Sequence, residues 1–380
     1  MSSSPGEADW LDDALPLPKA GLIWPWIVVG SLLFVLGLYL LLPGIQDRPS
    51  RSTPSPATPM DSPTQLAPQV SDQRALNLLF VDSAASSFDQ AAESIHRQLS
   101  AATRGRVGLT IHPSGLFQGK KLDEMSIIEQ VRKGQAQMGL VTCSPLTNFS
   151  PAFEVFDLPF LFQTFEQADR VLEGPIGDKL LKSLETQDLV GLGTMEVGFR
   201  VFSSSVPLPT LADFRGKRVR VMQSSTAIQM ARQLGCEAVP APVDKIYQMG
   251  KEGYIDAADR TYPTYWDFKL YEVQRYITES RHSYTMKVLI MNKEAYQGLD
   301  EETRQSLRKI VKTVEVEQRK QQRLDDQRVK QECRKQGIQI YELGPGETAH
   351  FVEACQPLYD EYQKLRGSEL VDAIRAFTKP

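Results

Sequence analysis

Residues 198–225 read GFRVFSSSVPLPTLADFRGKRVRVMQSS, and two short β-prone runs inside this stretch each carry an arginine among residues that belong in an interior. Arg200 stands between Phe199 and Val201, and Arg220 between Val219 and Val221. Arginine keeps its charge at any working pH and is rarely buried without a partner. An inward-facing guanidinium on such a strand therefore needs an anion, supplied by a protein carboxylate or by a ligand. The residues alone leave both open.

Outward from this stretch, strand and helix patterns alternate. ALNLLFV (75–81), VGLTIH (107–112) and 138–141 read as buried strands. Residues 88–101 and 122–133 read as amphipathic helices, the second with Leu122, Met125, Ile128 and Val131 at helical spacing. FDLPFLF (156–162) is dense in aromatics and reads as a core wedge. On the C-terminal side, a helix over 226–234 stops before Gly235, and strands follow near 255–260 and 285–292. Asp300 caps a long charged helix running to about residue 336. This alternation predicts an α/β fold with a parallel-rich sheet and ligand loops at the strand C-terminal ends.

The chain has 380 residues, 41% hydrophobic and 24% charged, which is room for one large domain or two lobes. A net charge of −4 lacks the basic footprint that nucleic-acid binding needs. Cys143, Cys236, Cys333 and Cys355 have no CxxC spacing, which excludes a zinc ribbon or a thioredoxin-type pair. Only Cys333 and Cys355 stand close enough to pair, and separate buried thiols are the expected state.

Residues 1–20 form an acidic tail. Residues 22–42 read LIWPWIVVGSLLFVLGLYLLL without a charge. As a helix they span about 32 Å, close to the hydrocarbon thickness of a bilayer. Trp24, Trp26 and Tyr39 lie toward the ends, where interfacial aromatics sit, and no A-x-A cleavage signal follows. Residues 21–43 are therefore predicted to form one transmembrane helix, an uncleaved anchor. Residues 44–73 carry Pro49, Pro54, Pro56, Pro59, Pro63 and Pro68 among serines and threonines, the composition of an extended tether. Lys19 flanks one end of the anchor, and Arg48 and Arg51 flank the other, so charge counting leans toward a cytoplasmic body without fixing it.

No GxSxG, HExxH or Walker loop occurs, and after Gly191 and Gly193 a dinucleotide fingerprint would need a glycine where Glu196 stands. His96, His112, His282 and His350 lack metal-ligand spacing. The residues point to no cofactor and no metal, and to a binding protein rather than an enzyme.

FEVFDLPFLF (153–162), GFR (198–200), LADFRGKRVRV (211–221), LGCEAVPAPVDKIYQMGKEGYIDAADR (234–260) and KLYEVQRYITESRHSYTMKVLIMNK (269–293) occur in a specific order and spacing. In these stretches the chain resembles the DctP-type extracytoplasmic solute-binding proteins of TRAP (tripartite ATP-independent periplasmic) transporters, over nearly everything from about residue 75. The resemblance implies a two-lobed, periplasmic-binding-protein-like α/β fold with a central cleft and a long helix spanning both lobes, here preceded by one transmembrane helix. Lobe I is expected at 74–197 and 285–325, and lobe II at 198–284 and 326–380.

The resemblance also implies that Arg220 pairs with a ligand carboxylate and that Arg200 lies beside it. The family pattern D-G-x-E-N is replaced here by Asp256-Ala257-Ala258-Asp259-Arg260, so an arginine stands where asparagine is common. Facing the cleft, Arg260 would add a third cation, suiting a dicarboxylate or a sugar acid; paired with Asp259, its charge would be internal. Tyr262 and Trp266 are candidates for the cleft or for core packing, and Ser144 is the candidate from the loop at 142–144. The implied function is capture of a small organic acid and delivery to a TRAP membrane permease, from a periplasmic body anchored in the inner membrane. The alternatives are a membrane-tethered sensor or scaffold, and an enzyme acting on an organic acid.

Overall fold

The computed structural model describes residues 74–378, so the acidic tail, the anchor and the tether lie outside the described residues. Among the described residues no helix is long and apolar enough to cross a membrane. In chain order the strands are β1 (Arg74–Leu79), β2 (Val107–His112), the small hairpin β3 (Leu116–Phe117) and β4 (Lys120–Lys121), β5 (Met138–Thr142), β6 (Leu189–Phe199) and β7 (Val201–Ser204). They continue as β8 (Arg218–Val221), β9 (Glu237–Pro240), β10 (Ala257–Arg260), β11 (Tyr276–Glu279), β12 (Tyr284–Asn292) and β13 (Gln339–Glu342).

Two main sheets form, each the centre of one lobe: β2-β1-β5-β12-β6 in lobe I and β13-β11-β7-β10-β8-β9 in lobe II. The central strands β5 and β12 are buried along their whole length, which is why they read as near-continuous apolar runs. Helices start where a side chain satisfies an otherwise orphaned amide. Ser86 accepts from Asp89 N ahead of Ser87–Ala102, Asp123 from Ser126 N ahead of Glu124–Arg132, and Ser224 from Ala227 N ahead of Ser225–Gln233.

The sheets are mixed rather than uniformly parallel-rich. β1 runs parallel to β2 and β5, and β8 runs parallel to β9 and β10. β12, however, is antiparallel to β5 and β6, and β7 is antiparallel to β10 and β11. The reason is the route between lobes. β6 breaks at Arg200 and continues directly as β7, while β11 passes through residues 280–283 into β12. Such direct crossings lack the helical connection that parallel pairing requires.

The aromatic stretch packs where these crossings meet lobe I. The Phe162 and Tyr284 ring centroids lie 5.7 Å apart, and Phe199 and Tyr284 lie 5.5 Å apart. The wedge expected from FDLPFLF is thus a wedge against the crossing strands.

The helix Glu301–Lys335, capped by Asp300 through Thr303 N, spans both lobes. Leu307, Ile310, Val311 and Val314 join the lobe I core beside Leu192 and Met195, while Val329 and Cys333 join the lobe II core beside Tyr262 and Tyr265. Its buried polar side chains complete the edge strand β6. Gln318 accepts from Glu196 N at 2.8 Å and donates to Glu196 O at 2.9 Å, and Gln322 donates to Val197 O at 3.1 Å. Glu315 accepts from Thr194 N. A Cβ at Gly193 would fall 2.6 Å from the Val311 side chain, so this close approach needs glycine.

One boundary differs from expectation. Helix Pro345–Arg366 packs on Ser225–Gln233 of lobe II, but the last helix, Glu369–Thr378, packs on Phe165–Leu172 of lobe I. Val371 and Ile374 are buried, and through its packing on Phe165–Leu172 the last helix returns to lobe I. All four cysteines are buried and unpaired, with Cys333 and Cys355 in different cores.

Candidate functional site

The wall contributed by lobe II is built by strand alternation. Val219 and Val221 of β8 turn into the core, which turns Arg220 to the opposite face, in register with Ala258 of β10. Arg260 lies two residues further along β10 and so shares that face. Arg200 enters from the break between β6 and β7. The three arginines are 4%, 1% and 5% exposed for Arg220, Arg260 and Arg200.

Their partners differ. Arg200 Nε lies 2.5 Å from Asp259 Oδ1, and its Nη2 donates to Asp259 O at 2.6 Å. His282 Nε2 lies 3.2 Å from the same carboxylate oxygen. Burial would raise the Asp259 pKa, but Arg200 and His282 outweigh it and hold the carboxyl well below the usual range. Arg220 donates from Nε to Ala241 O at 2.7 Å and from Nη1 to Asp259 O at 3.3 Å, and among the described residues no carboxylate pairs with it. Burial, with repulsion from Arg200, pushes its pKa down to about 9.

Arg260 donates from Nη2 to Ala258 O and lies over the Tyr265 ring at 5.5 Å. Its Nε and Nη1 are buried without a partner among the described residues. Burial pushes its pKa down to about 9 as well. The opening alternatives therefore separate: Arg200 has a protein carboxylate, and Arg220 does not. Asp259 is committed to Arg200 and His282, so it is not the partner of Arg260.

The facing wall comes from lobe I. Lys287 of β12 is buried, with Nζ 2.7 Å from Asp82 Oδ2 and 3.0 Å from Glu124 Oε1. Glu124 opens the helix Glu124–Arg132, and its Oε1 also accepts Thr142 N at 2.9 Å and Thr142 Oγ1 at 2.7 Å. Burial pushes Glu124 up, but Lys287 and the Thr142 donors outweigh it and leave the carboxyl below its ordinary value. In Asp82 burial wins over Lys287, and the pKa is raised. Burial would lower Lys287, yet its two carboxylates raise it.

Arg200, Arg220 and Arg260 line one side of a recess between the lobes, and Asp82, Glu124 and Lys287 line the other. In this conformation the recess is narrow, holding about 40 Å³ of space.

Three sequence candidates do not line it. Tyr262 is buried in the lobe II core, and Trp266 packs on that core with its ring 4.7 Å from Tyr271. Ser144 donates to Asp157 Oδ1 at 2.5 Å and lies beneath the recess against Met222. Proline at the start of Tyr262–Asp267 sets a helix there, and its aromatic side then follows the apolar interior. Lys287 is the residue that sequence reasoning passed over. A lysine inside YTMKVLIMN is the same signal, a cation in an apolar strand, that singled out Arg220.

Comparison with known proteins agrees with this architecture. The chain is 29% identical over 274 residues to a solute-binding protein of Chromohalobacter salexigens, covering 72% of this chain and 80% of that one. It is 27% identical over 281 residues to the C4-dicarboxylate-binding periplasmic protein DctP of Rhodobacter capsulatus, covering 73% of this chain and 82% of that one. Among solved structures, the sugar acid binding protein DctPAm of Advenella mimigardefordensis in complex with galactonate superposes with a TM-score of 0.77 at 26% identity, covering 81% of this chain and 98% of that chain. The family model for bacterial extracellular solute-binding protein, family 7 (DctP), matches residues 80–365. With its two α/β lobes and the recess between them, the chain belongs to that family of solute-binding proteins.

Proposed function

We propose that this chain captures a small organic acid between its lobes and delivers it to a TRAP-type membrane permease. Arg220 forms the paired salt bridge to the ligand carboxylate, Arg260 lies beside it with further donors, and Arg200 is the cation held ready by Asp259. The observation that carries this reading is the burial of Arg220 without a carboxylate partner among the described residues. A desolvated guanidinium is costly unless an anion answers it, and its planar fork matches a carboxylate in two parallel bonds. The relatives whose names state a ligand, a C4-dicarboxylate and galactonate, bind acids of this kind. The arrangement has the parts for capture and release, and the reading assigns it no chemical step.

The anchor belongs to the same proposal. Residues 21–43 hold the protein in the inner membrane, and residues 44–73 let the body stand off the periplasmic face. Protease added to spheroplasts is expected to digest the body; a shielded body would contradict this topology.

The ligand reading is tested by calorimetry of the full-length chain against a panel of organic acids. Arg220→Ala is expected to weaken binding of the acid by about 2–5 kcal/mol, the range for removing one member of a buried charge pair. Unchanged affinity in that variant would remove the salt bridge from the account.

A further inference from the structure

The long helix Glu301–Lys335 turns one stripe inward, and side chains along that stripe answer different lobes. Gln318 and Gln322 bind the β6 backbone of lobe I, while Val329 and Cys333 enter the lobe II core. Asp326 stands between them, one turn after Gln322 and just before Val329, at the waist where the helix passes from lobe to lobe. A cation flanks it on either side. Arg323 Nη2 lies 2.7 Å from Glu196 Oε2 on β6, and Lys330 Nζ lies 2.5 Å from Glu279 Oε2 at the end of β11. The helix is thus pinned to both crossing strands, once in each lobe.

Asp326 makes no hydrogen bond and no ion pair among the described residues. It faces Glu196 from β6, Glu279 from β11 and Arg281 from residues 280–283, with Arg323 and Lys330 on its own helix. Tyr262, whose hydroxyl is buried without a partner among the described residues, approaches from the helix Tyr262–Asp267. Both crossings beneath Asp326 contain left-handed backbone, with φ +106° at Gly198 and +48° at Arg281. A Cβ at Gly198 would come 4.0 Å from Asp326 Oδ1, so the carboxyl sits over the first crossing. Arg281 of the second crossing lies over the Phe199 ring at 4.2 Å instead of pairing with it. Partial burial and the Glu279 charge raise the Asp326 carboxyl to about 7, against Arg281 and Lys330.

A carboxyl so placed has two states with opposite effects. Ionised, it is an acceptor only and repels Glu196 and Glu279, one acid from each lobe. Protonated, it loses that repulsion and gains a hydrogen to donate to either. We infer that Asp326 is a proton-sensitive strut at the hinge: protonation seats the helix on both crossing strands and favours the narrow recess, whereas ionisation favours opening. The inference deepens the organic-acid reading by naming a control on its site, and rests on that reading for what closure accomplishes. Proton linkage fixes the direction. A carboxyl held above its ordinary value of about 4 in this arrangement, and relieved when the lobes part, favours this arrangement as pH falls through about 7.

The test is the distance across the recess mouth in the full-length, ligand-free protein. Lys121→Cys and Lys245→Cys place one spin label near Asp123 and one beside Asp244, which line that mouth from opposite lobes. The four native cysteines are buried, so the labels go to the two introduced thiols. From pH 8 to pH 6 the ratio of short to long distances is expected to rise by about threefold to tenfold, the upper figure being what values of about 7 and about 4 in the two arrangements allow. Asp326→Asn is expected to show at pH 8 the ratio that wild type reaches at pH 6. Asp157 and Asp267, raised to about 6, keep their own pH steps in that variant and so serve as its control. Glu279→Gln removes the acid that raises Asp326 and is expected to move the step to lower pH, which tests the assignment if Asp326→Asn fails to fold. An unchanged ratio in wild type, or the same rise in Asp326→Asn, overturns the inference. Because no acid is added, either result leaves the organic-acid reading standing, and failure of that reading in calorimetry leaves the hinge measurement intact.

Discussion

Arg200, at the break between β6 and β7, and Arg220, on β8, carry the same side chain, and what separates their surroundings is a single carboxylate. Asp259 serves Arg200 and His282, which leaves Arg220 without a carboxylate partner among the described residues. Asp259→Asn would strand Arg200 in the interior, at a cost of about 3–5 kcal/mol by analogy with broken buried pairs. The pH dependence has a definite sign. Because the folded-state pKa of Asp259 is depressed, its contribution is present above the ordinary carboxylate value of about 4 and is lost as pH falls through the folded value. Urea unfolding at a series of pH values should therefore show a constant gap between wild type and Asp259→Asn from pH 8 to about 5, shrinking below about 4. A gap that grew on acidification would contradict the pairing. Arg220 was legible in the sequence because strand alternation sets its face against two valines. Its lack of a partner was not, since that depends on the antiparallel register that places Asp259 opposite Phe202.

At the scale of elements, the helix Glu301–Lys335 does more than cover the two lobes. Its sparse apolar positions were readable and lie in the two cores as a spanning helix requires. Its glutamines were not readable as structural, because Gln318 and Gln322 look like solvated polar positions until β6 is known to be an edge strand. Gln318 satisfies both the amide and the carbonyl of Glu196. Gln318→Leu keeps the bulk but leaves both groups buried and unanswered, and is expected to destabilise the fold by about 2–4 kcal/mol. Denaturant titration of that variant checks the assignment; a loss below about 0.5 kcal/mol would mean that water or a neighbour replaces the amide. Lys287 shows the converse limit. Its strand was legible, whereas its carboxylates come from the end of β1 and the start of a helix, and only the assembled sheet brings them together.

For the molecule as a whole, the recess exists only between the lobes, so a ligand held by both walls binds the native state and not the unfolded chain. At a concentration of 100 times its dissociation constant such a ligand adds about 2.7 kcal/mol to stability. A saturating acid ligand is therefore expected to raise the thermal midpoint of wild type and to raise that of Arg220→Ala much less at the same concentration. An equal rise in both would place the ligand elsewhere. The two-lobed plan was legible from the order of its characteristic stretches. The return of the helix Glu369–Thr378 to lobe I was not, because Val371 and Ile374 form an apolar stripe that either lobe could bury. The amide side chains seated along β6 also have a consequence for crowded solutions. They occupy backbone groups that a strand from another copy would need for templated growth, so this margin of lobe I cannot zip to a neighbour while the long helix stays in place. Displacing that helix would free those groups for such pairing.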